Sequence, residues 1–534
     1  MQKLERAFGG DAGWRTLLIS AGFVFLVAFA QYSYSLGNDF VWDAKSVITE
    51  DPSIREVRSL PSFFTRDFWS SIPMDGKGQE YLKYYRPLIK ILHLAEYSVF
   101  GPVPTGYNAV NVSLNALVAV LAMLVVSGMT GSLLTGVIAA VLYAVNPAGV
   151  EAVSWVYSDA YVLTALFSLA CLLSYMHRRR MLSLLCLCLA LLSHESAVLL
   201  PLVLIAYETL VRRSPLRYAL RKTVPFLAVT AVFLGIRRAV VGPIPVTDLP
   251  FVTLANTIAV IVKRAVKIFF VPDAAVVIYP REVFPGLTGE VIVSYAAAAL
   301  MLLAGGYLWV RNRVYFFWYA WFFLWLVPVM NAGSIGEYMM AEKSVYLPSL
   351  GFCVLIALLA VNAGRARTAA LAAVLLFSVT HAYMTFSRLK YWSDDVTYME
   401  KALEFTPDFF PLNYALGQAY AFRGDYDRSI IRYQRVIEVN PRMSNAYCNL
   451  GNIFYMRGEN DRAVAEWEKA IEADPDNPLP YYNVGMELEK RGRQRDALGL
   501  YRKYLSLAPD PPADVAGHIR GLEAMEVPEG RTGK

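Results

Sequence analysis

The stretch PRMSNAYCNLGNIFYMRGENDRAVAEWEKAIEADP, Pro441 to Pro475, is one full turn of a pattern that recurs on both sides of it. Pro407, Pro441, Pro475 and Pro509 stand 34 residues apart, as do Gly417, Gly451 and Gly485, then Gly424, Gly458 and Gly492. Ser429, Ala463 and Ala497 keep the same step, and so do Tyr433, Trp467 and Tyr501. Small residues at fixed places let paired helices approach closely, aromatic side chains fill the space left between them, and each proline ends the second helix of its repeat.

Thirty-four residues is the tetratricopeptide (TPR) period. The expectation is an α-solenoid over 391–511, built of three repeats after a half-repeat at Trp392 to Thr406, with a tail at 512–534. Such a stack presents a concave surface to extended peptides or partner proteins and carries no chemistry of its own.

Upstream of Tyr391 the character changes. The chain of 534 residues is 56% hydrophobic, with a mean hydropathy of +0.39. The apolar residues are concentrated in long runs before Phe386, which excludes a soluble enzyme and predicts a polytopic helical membrane domain over 1–390. The net charge of +6 comes from Arg and Lys flanking the apolar runs, and no basic recognition motif points to nucleic acid. Cys171, Cys186, Cys188 and Cys353 lie inside apolar runs and Cys448 alone in a repeat, so neither a disulfide framework nor a metal site follows.

The first apolar run ends in Ala28-Phe29-Ala30, a signal-peptidase pattern, yet Thr16 to Leu36 is long enough to cross, and a retained anchor is expected. Further spans are read at 107–128, 131–147, 161–177, 181–193, 196–211, 223–241, 290–310, 315–331, 345–362 and 368–386, eleven in all. Arg178 to Arg180, the cluster from Arg212 to Lys222, Arg311 with Arg313, and Arg365 with Arg367 fall on one side, the cytosolic one. The segment Thr253 to Val271 carries Lys263, Arg264 and Lys267, each costing about 2.5–3.5 kcal/mol at a helix centre, so it is laid flat at the outer interface, where its cations meet lipid headgroups or a lipid phosphate.

This topology puts the polar loop 37–106 and the repeats together on the non-cytosolic side, the periplasm or its endoplasmic-reticulum equivalent. At the head of that loop stands Asn38-Asp-Phe-Val-Trp-Asp43. A carboxylate just past a span can meet a water-soluble acceptor on one side and a lipid-linked donor on the other, and burial beside Phe40, Val41 and Trp42 raises its basicity. The plainer reading is a cap on a short helix near Ser46.

The same side gathers Arg86, Glu151, Asp159, His194, Glu195, Glu337, Glu342 and Lys343. Ionisable residues beside spans are costly and mark function more often than in soluble proteins. For His194-Glu195 the competing role is a helix cap, and for Lys343 ordinary interfacial anchoring.

With these residues in hand, the chain resembles the transmembrane-and-tetratricopeptide O-mannosyltransferases and their bacterial relatives, members of the GT-C glycosyltransferase superfamily. The resemblance rests on Phe40-Val-Trp-Asp43, Tyr85-Arg86-Pro87-Leu88, Asn146-Pro147 with Glu151-Ala-Val153, Ser193-His194-Glu195, and Glu342-Lys343 with Tyr346-Leu-Pro-Ser-Leu-Gly351, in that order and ahead of the repeats. It implies inverting transfer of a sugar, typically mannose, from a polyprenyl-phosphate donor to a protein Ser or Thr. Asp43 matches the catalytic residue, Arg86, Lys343 and His194 fall at donor-phosphate positions, and Glu151, Asp159, Glu195 and Glu342 are supporting or acceptor-binding acids.

Three positions depart from the family pattern: Ala44 where an acid often follows the catalytic aspartate, His194 where lysine is usual, and Lys343 where arginine is usual. Without a second carboxylate beside Asp43 a divalent metal is disfavoured and no cofactor is expected, although Glu151 or Asp159 would be the source of a missing ligand. Two other functions compete: a lipid or polysaccharide acceptor for the same chemistry, and a non-catalytic scaffold that recruits partners through the repeats. Eleven spans argue against the scaffold, since one would anchor it.

Overall fold

The computed structural model describes residues 11–72, 83–243, 250–271, 278–280, 282, 284–330, 338–508 and 511–526. They form an almost wholly helical chain with one short antiparallel ribbon, Ile278–Pro280 paired with Tyr338–Ala341. The chain divides into two compact units, 1–398 and 399–534. The expected boundary at 390 thus lies earlier than the observed one, because Trp392, Asp395 and Tyr398 are buried within the first unit.

Among the described residues of the first unit, seven helices are long and apolar enough to cross a membrane: Gly13–Gly37, Pro104–Thr130, Val156–Met176, Leu216–Val241, Gly289–Arg311, Glu342–Val361 and Gly364–Trp392. Leu133–Val145 and Pro147–Ser154 make an eighth if counted as one span bent by 58°. The other expected spans are shorter: Arg180–Ser193 and Arg313–Leu326 have 14 residues each, and 195–211 is broken into 3-10, α and π turns. Fourteen residues rise only about 21 Å, less than a hydrocarbon core of about 30 Å. Among the described residues, seven or eight of the eleven expected spans thus correspond to helices of full crossing length.

The first helix is a structural part of the bundle. Val24, Ala28 and Tyr32, spaced by four residues, are fully buried. Val24 and Ala28 pack with Ala116, Ala119, Met123, Ala140 and Ala144, where small residues permit close approach. Phe251–Phe270 is amphipathic, and its apolar side packs into the protein, with Val260, Ile261, Ala265 and Ile268 buried. Its Lys263 and Arg264 reach protein carboxylates, Lys263 that of Glu290 at 3.0 Å and Arg264 those of Glu282 and Glu290.

Two breaks in the bundle place the site. Pro147 cannot donate to the helix ladder, and Asn146 Oδ1 accepts the Ala148 N–H (2.9 Å) to start a new direction, which carries Glu151. On the partner helix Tyr346–Val361, Gly351 passes so close that a Cβ would lie 2.4 Å from the Trp318 carbonyl oxygen. That crossing seats the turn Glu342–Val345 immediately before the helix, where Glu342 and Lys343 are both buried.

In the second unit the repeat pairs are Phe410–Phe422 with Tyr426–Val439, Ser444–Met456 with Asn460–Ala473, and Pro478–Lys490 with Gln494–Leu507. Helices end two residues before Pro407, Pro441 and Pro475, at Phe405, Val439 and Ala473; Pro509 lies outside the described residues. A Cβ on Gly417, Gly451 or Gly485 would meet the ring of Tyr433, Trp467 or Tyr501 at 3.0, 2.5 or 2.8 Å. Gly451→Ala is therefore expected to lower repeat stability by about 1–3 kcal/mol, read as a drop in the denaturant midpoint of the 399–534 transition. The expected tail contains a further helix, Ala513–Glu526, whose Ile519 is fully buried with Tyr481, Ala497, Tyr501 and Tyr504 and caps the stack.

Candidate active site

The loop that carries Asp43 is held from several distant parts of the chain. Asn108 Nδ2 donates to the Asn38 carbonyl (2.9 Å), Trp155 Nε1 to the Val41 carbonyl (2.9 Å), and the Asp39 N–H to the Ser393 carbonyl (2.9 Å). Asp395, at the start of a helix beyond the last span, accepts from the Trp42 N–H and forms an ion pair with Lys45.

These restraints keep Trp42 at φ 51°, ψ −121°, a conformation that a non-glycine residue rarely adopts. Its ring stacks on Trp155 at 5.8 Å between centroids and 7° between planes. Strain held by so many contacts is characteristic of functional sites, and here it fixes the residue next to Asp43.

Asp43 itself begins a short helical turn and is half-buried. Among the described residues its carboxylate accepts no hydrogen bond. Burial pushes its pKa up to about 6, while the nearby Lys343 charge pulls it partly back. A carboxylate so placed is ionised at neutral pH and yet basic enough to take a proton.

Lys343 is held by Glu151, Nζ to Oε1 at 3.3 Å, and its backbone N–H donates to Glu151 Oε2 at 2.8 Å. Its ammonium lies 4.1 Å from the Trp155 ring centroid, with the Tyr157 and Tyr161 rings at 5.3 and 5.8 Å. Arg86 donates from Nε to Glu195 Oε2 (3.1 Å) and stacks over Tyr84 at 4.2 Å, while the Tyr85 N–H reaches Glu195 Oε1 (3.3 Å). Burial works to raise the Glu195 pKa, but Arg86 and the His194 ring beside it bring it down to about 2.

His194 Nδ1 accepts the Ser196 N–H (3.1 Å), capping the next turn, and its ring packs 4.5 Å from that of Tyr161. Burial, reinforced by Arg86, lowers its pKa to about 3. It is therefore a neutral imidazole with its proton on Nε2: it can donate one hydrogen bond to a phosphate but supplies no cation.

The four acids thus act mainly as partners of other groups. Glu151 and Glu195 hold the two cations, and Glu342 is engaged by Arg388, whose Nη1 also donates to the Pro147 carbonyl (3.2 Å). Asp159 turns to His93 (Oδ2 to Nε2, 2.8 Å). Glu151 and Asp159 are thus each engaged by another side chain, Glu151 by Lys343 and Asp159 by His93. Glu337 lies outside the described residues. Sequence reasoning missed Asp395, Trp155, Tyr157 and Tyr84; only the strained Trp42 and the packing show their part.

Beside this network a cleft of about 400 Å³ opens in the first loop, lined by Ser53, Ser59, Arg66, Asp67, Arg86 and Lys90 among others. Arg86 is common to the cleft and to the surroundings of Lys343.

Residues 414–478 and 458–514 match the family model of the tetratricopeptide repeat. Protein O-mannosyl-transferase TMTC3 of Mus musculus is 24% identical over 496 residues, covering 81% of this chain and 52% of that protein. Protein O-mannosyl-transferase F38B6.6 of Caenorhabditis elegans is 23% identical over 463 residues, covering 81% of this chain and 64% of that protein. Protein O-mannosyl-transferase TMTC4 of Mus musculus is 31% identical over 176 residues, covering 30% of this chain and 23% of that protein. An 81% match exceeds what the repeat unit alone provides, so the likeness includes the membrane unit. The chain spans about half the length of the curated relatives TMTC3 that it matches. Over most of its length it is a multi-pass membrane protein similar to the TMTC-type O-mannosyltransferases, with a tetratricopeptide domain.

Proposed function

We propose that this chain is an integral-membrane inverting glycosyltransferase that moves mannose or another hexose from a polyprenyl-phosphate donor to Ser or Thr of secreted or periplasmic proteins. The observation that carries the reading is Asp43: a half-buried carboxyl poised near pH 6, on a strained shelf, in the field of a buried lysine.

In the reaction Asp43 accepts the proton of the acceptor hydroxyl as its oxygen bonds to the anomeric carbon. The bond from that carbon to the phosphate oxygen breaks on the opposite face, and the electron pair leaves with the phosphate. Lys343 and Arg86 stabilise the departing anion, and the Nε2–H of His194 offers it a further donor. Glu151 and Glu195 orient these cations. The phosphate is a good leaving group at neutral pH, so no metal is required at Asp43.

The catalytic loop and the repeats lie on the non-cytosolic face of the inner membrane, or of the endoplasmic reticulum in a eukaryotic cell, and the solenoid captures acceptor peptides. A pure scaffold has no need of a buried lysine–glutamate pair beside a basic aspartate, with a second cation–carboxylate pair next to it. The test is mass spectrometry of envelope proteins and lipids from cells carrying wild type or Asp43→Asn. Hexose lost from Ser and Thr peptides supports the protein acceptor; unchanged peptides with altered glycolipid or polysaccharide refute it in favour of the other acceptor class.

The repeats have their own test. Truncation after Phe405 is expected to spare donor hydrolysis and impair only acceptor choice, whereas truncation after Lys390 abolishes both, since it removes Asp395 from the Trp42 backbone and Lys45. Equal activity of the two truncations would overturn this division.

A further inference from the structure

Away from Asp43's carboxyl, three ligand-type side chains converge in a closed space. His93 and Glu96 lie on the helix Pro87–Phe100, and Asp159 begins the helix Asp159–Met176. Their exposures are 0%, 5% and 2%. One ligand atom from each lies within 4.8 Å of the other two.

The hydrogen bonding here is incomplete. His93 and Asp159 meet at 2.8 Å, but His93 Nδ1, Asp159 Oδ1 and Glu96 Oε2 are all buried without a partner. Buried polar atoms are rarely left so. Among the described residues no Lys or Arg pairs with Glu96 or Asp159, so two carboxylates are buried against one imidazole.

We infer that His93, Glu96 and Asp159 form a structural binding site for a divalent first-row metal ion, zinc being the best match to one imidazole and two carboxylates. Two carboxylates, a neutral imidazole and a divalent cation sum to zero charge, which suits a closed interior. Neighbouring ligands at about 2.0–2.1 Å from such an ion stand roughly 3 Å apart, close to the His93–Asp159 separation.

The site lies at a useful place. Helix Pro87–Phe100 has Arg86 at its N-cap, and Tyr157 lies just before Asp159. An ion here clips together the two segments that deliver these groups, without touching Asp43. Its role is in assembly of the fold, separate from the chemistry proposed above.

The test uses the full chain, purified in detergent with its affinity tag removed. Metal content is measured before and after dialysis against a chelator, then after addition of zinc alone, together with the melting temperature. The expected result is one tightly held ion per chain, a melting temperature that falls on its removal and returns with zinc, and at least a tenfold to hundredfold weaker retention in Glu96→Gln and His93→Gln. Glu96→Gln keeps the shape and removes a buried charge, and the wild-type titration decides even if a variant fails to fold. A wild type that holds no ion and shows no shift with zinc would overturn the site, leaving a proton shared between the carboxyls. So would variants that keep the ion as tightly as wild type. Sugar transfer is not the readout, so failure here leaves the glycosyltransferase reading untouched.

Discussion

Asp43→Asn is expected to lower sugar transfer by about a hundred- to ten-thousandfold while the protein folds and inserts as before. Asn keeps the size of Asp and cannot take a proton. Among the described residues the carboxylate accepts no hydrogen bond that Asn would lose, and its raised pKa means that the charged form is disfavoured in the folded state. The sign for stability follows: above its unfolded pKa the ionised group works against folding, and that cost grows as pH rises towards about 6. The uncharged variant should then be no less stable than wild type at pH 7. For activity the sign is opposite, because the base must be ionised. Wild-type turnover should rise about tenfold per pH unit below 6 and level off above it, and the Asn variant should lose that limb. A variant that transfers sugar normally, or a wild type with no inflection between pH 5 and 7, would refute Asp43 as the base. Mg²⁺ or Mn²⁺ added to the assay should change neither value.

The repeats were legible because their constraint is local and periodic. A glycine at one place and an aromatic ring at another meet within one helix pair, so spacing alone reveals the contact, as Gly451 and Trp467 illustrate. The Asp43 loop was legible for a related reason: its carboxylate sits immediately after an apolar run, and position relative to the membrane is written in hydropathy. Helix length was harder. Apolar runs at 181–193 and 315–331 look like spans on composition, but the first helix stops at 14 residues between Arg179 and His194, and the second, which starts after Asn312, passes from α-helix into a 3-10 turn at Val327 after 14 residues.

Partners across the fold were not legible at all. Nothing in the local sequence ties Asp395 to the Trp42 N–H or to Lys45, since the two stretches are joined only through the last span's return to the loop. The acids tell the same story. Composition marks Glu151, Asp159, Glu195 and Glu342 as costly and therefore informative, but only packing assigns Glu151 to Lys343, Glu195 to Arg86, Glu342 to Arg388 and Asp159 to His93. His194 illustrates the limit of residue type as a guide: a histidine in place of a lysine suggests a replacement cation, whereas burial makes it a neutral donor.

Those pairings shape the test of the phosphate site. Removing Lys343 alone leaves Glu151 buried without its cation, a change that commonly costs about 3–5 kcal/mol of stability, and removing Arg86 alone strands the half-buried Glu195, so either would imitate a catalytic defect. The paired variants Arg86→Met/Glu195→Gln and Lys343→Met/Glu151→Gln remove both charges and keep most of the volume. Each is expected to fold and yet transfer sugar about ten- to a hundredfold more slowly, the equivalent of a charge-assisted contact of about 1.5–3 kcal/mol made to the departing phosphate. The defect should appear in use of the polyprenyl-phosphate donor, with acceptor KM nearly unchanged, because both cations act on the leaving group. It should also shrink for donors whose leaving group is intrinsically better. In the Lys343 pair the Asp43 limb should move to higher pH, since the charge that pulls its pKa down is gone. Normal donor use by both paired variants at wild-type protein levels would remove Arg86 and Lys343 from the site.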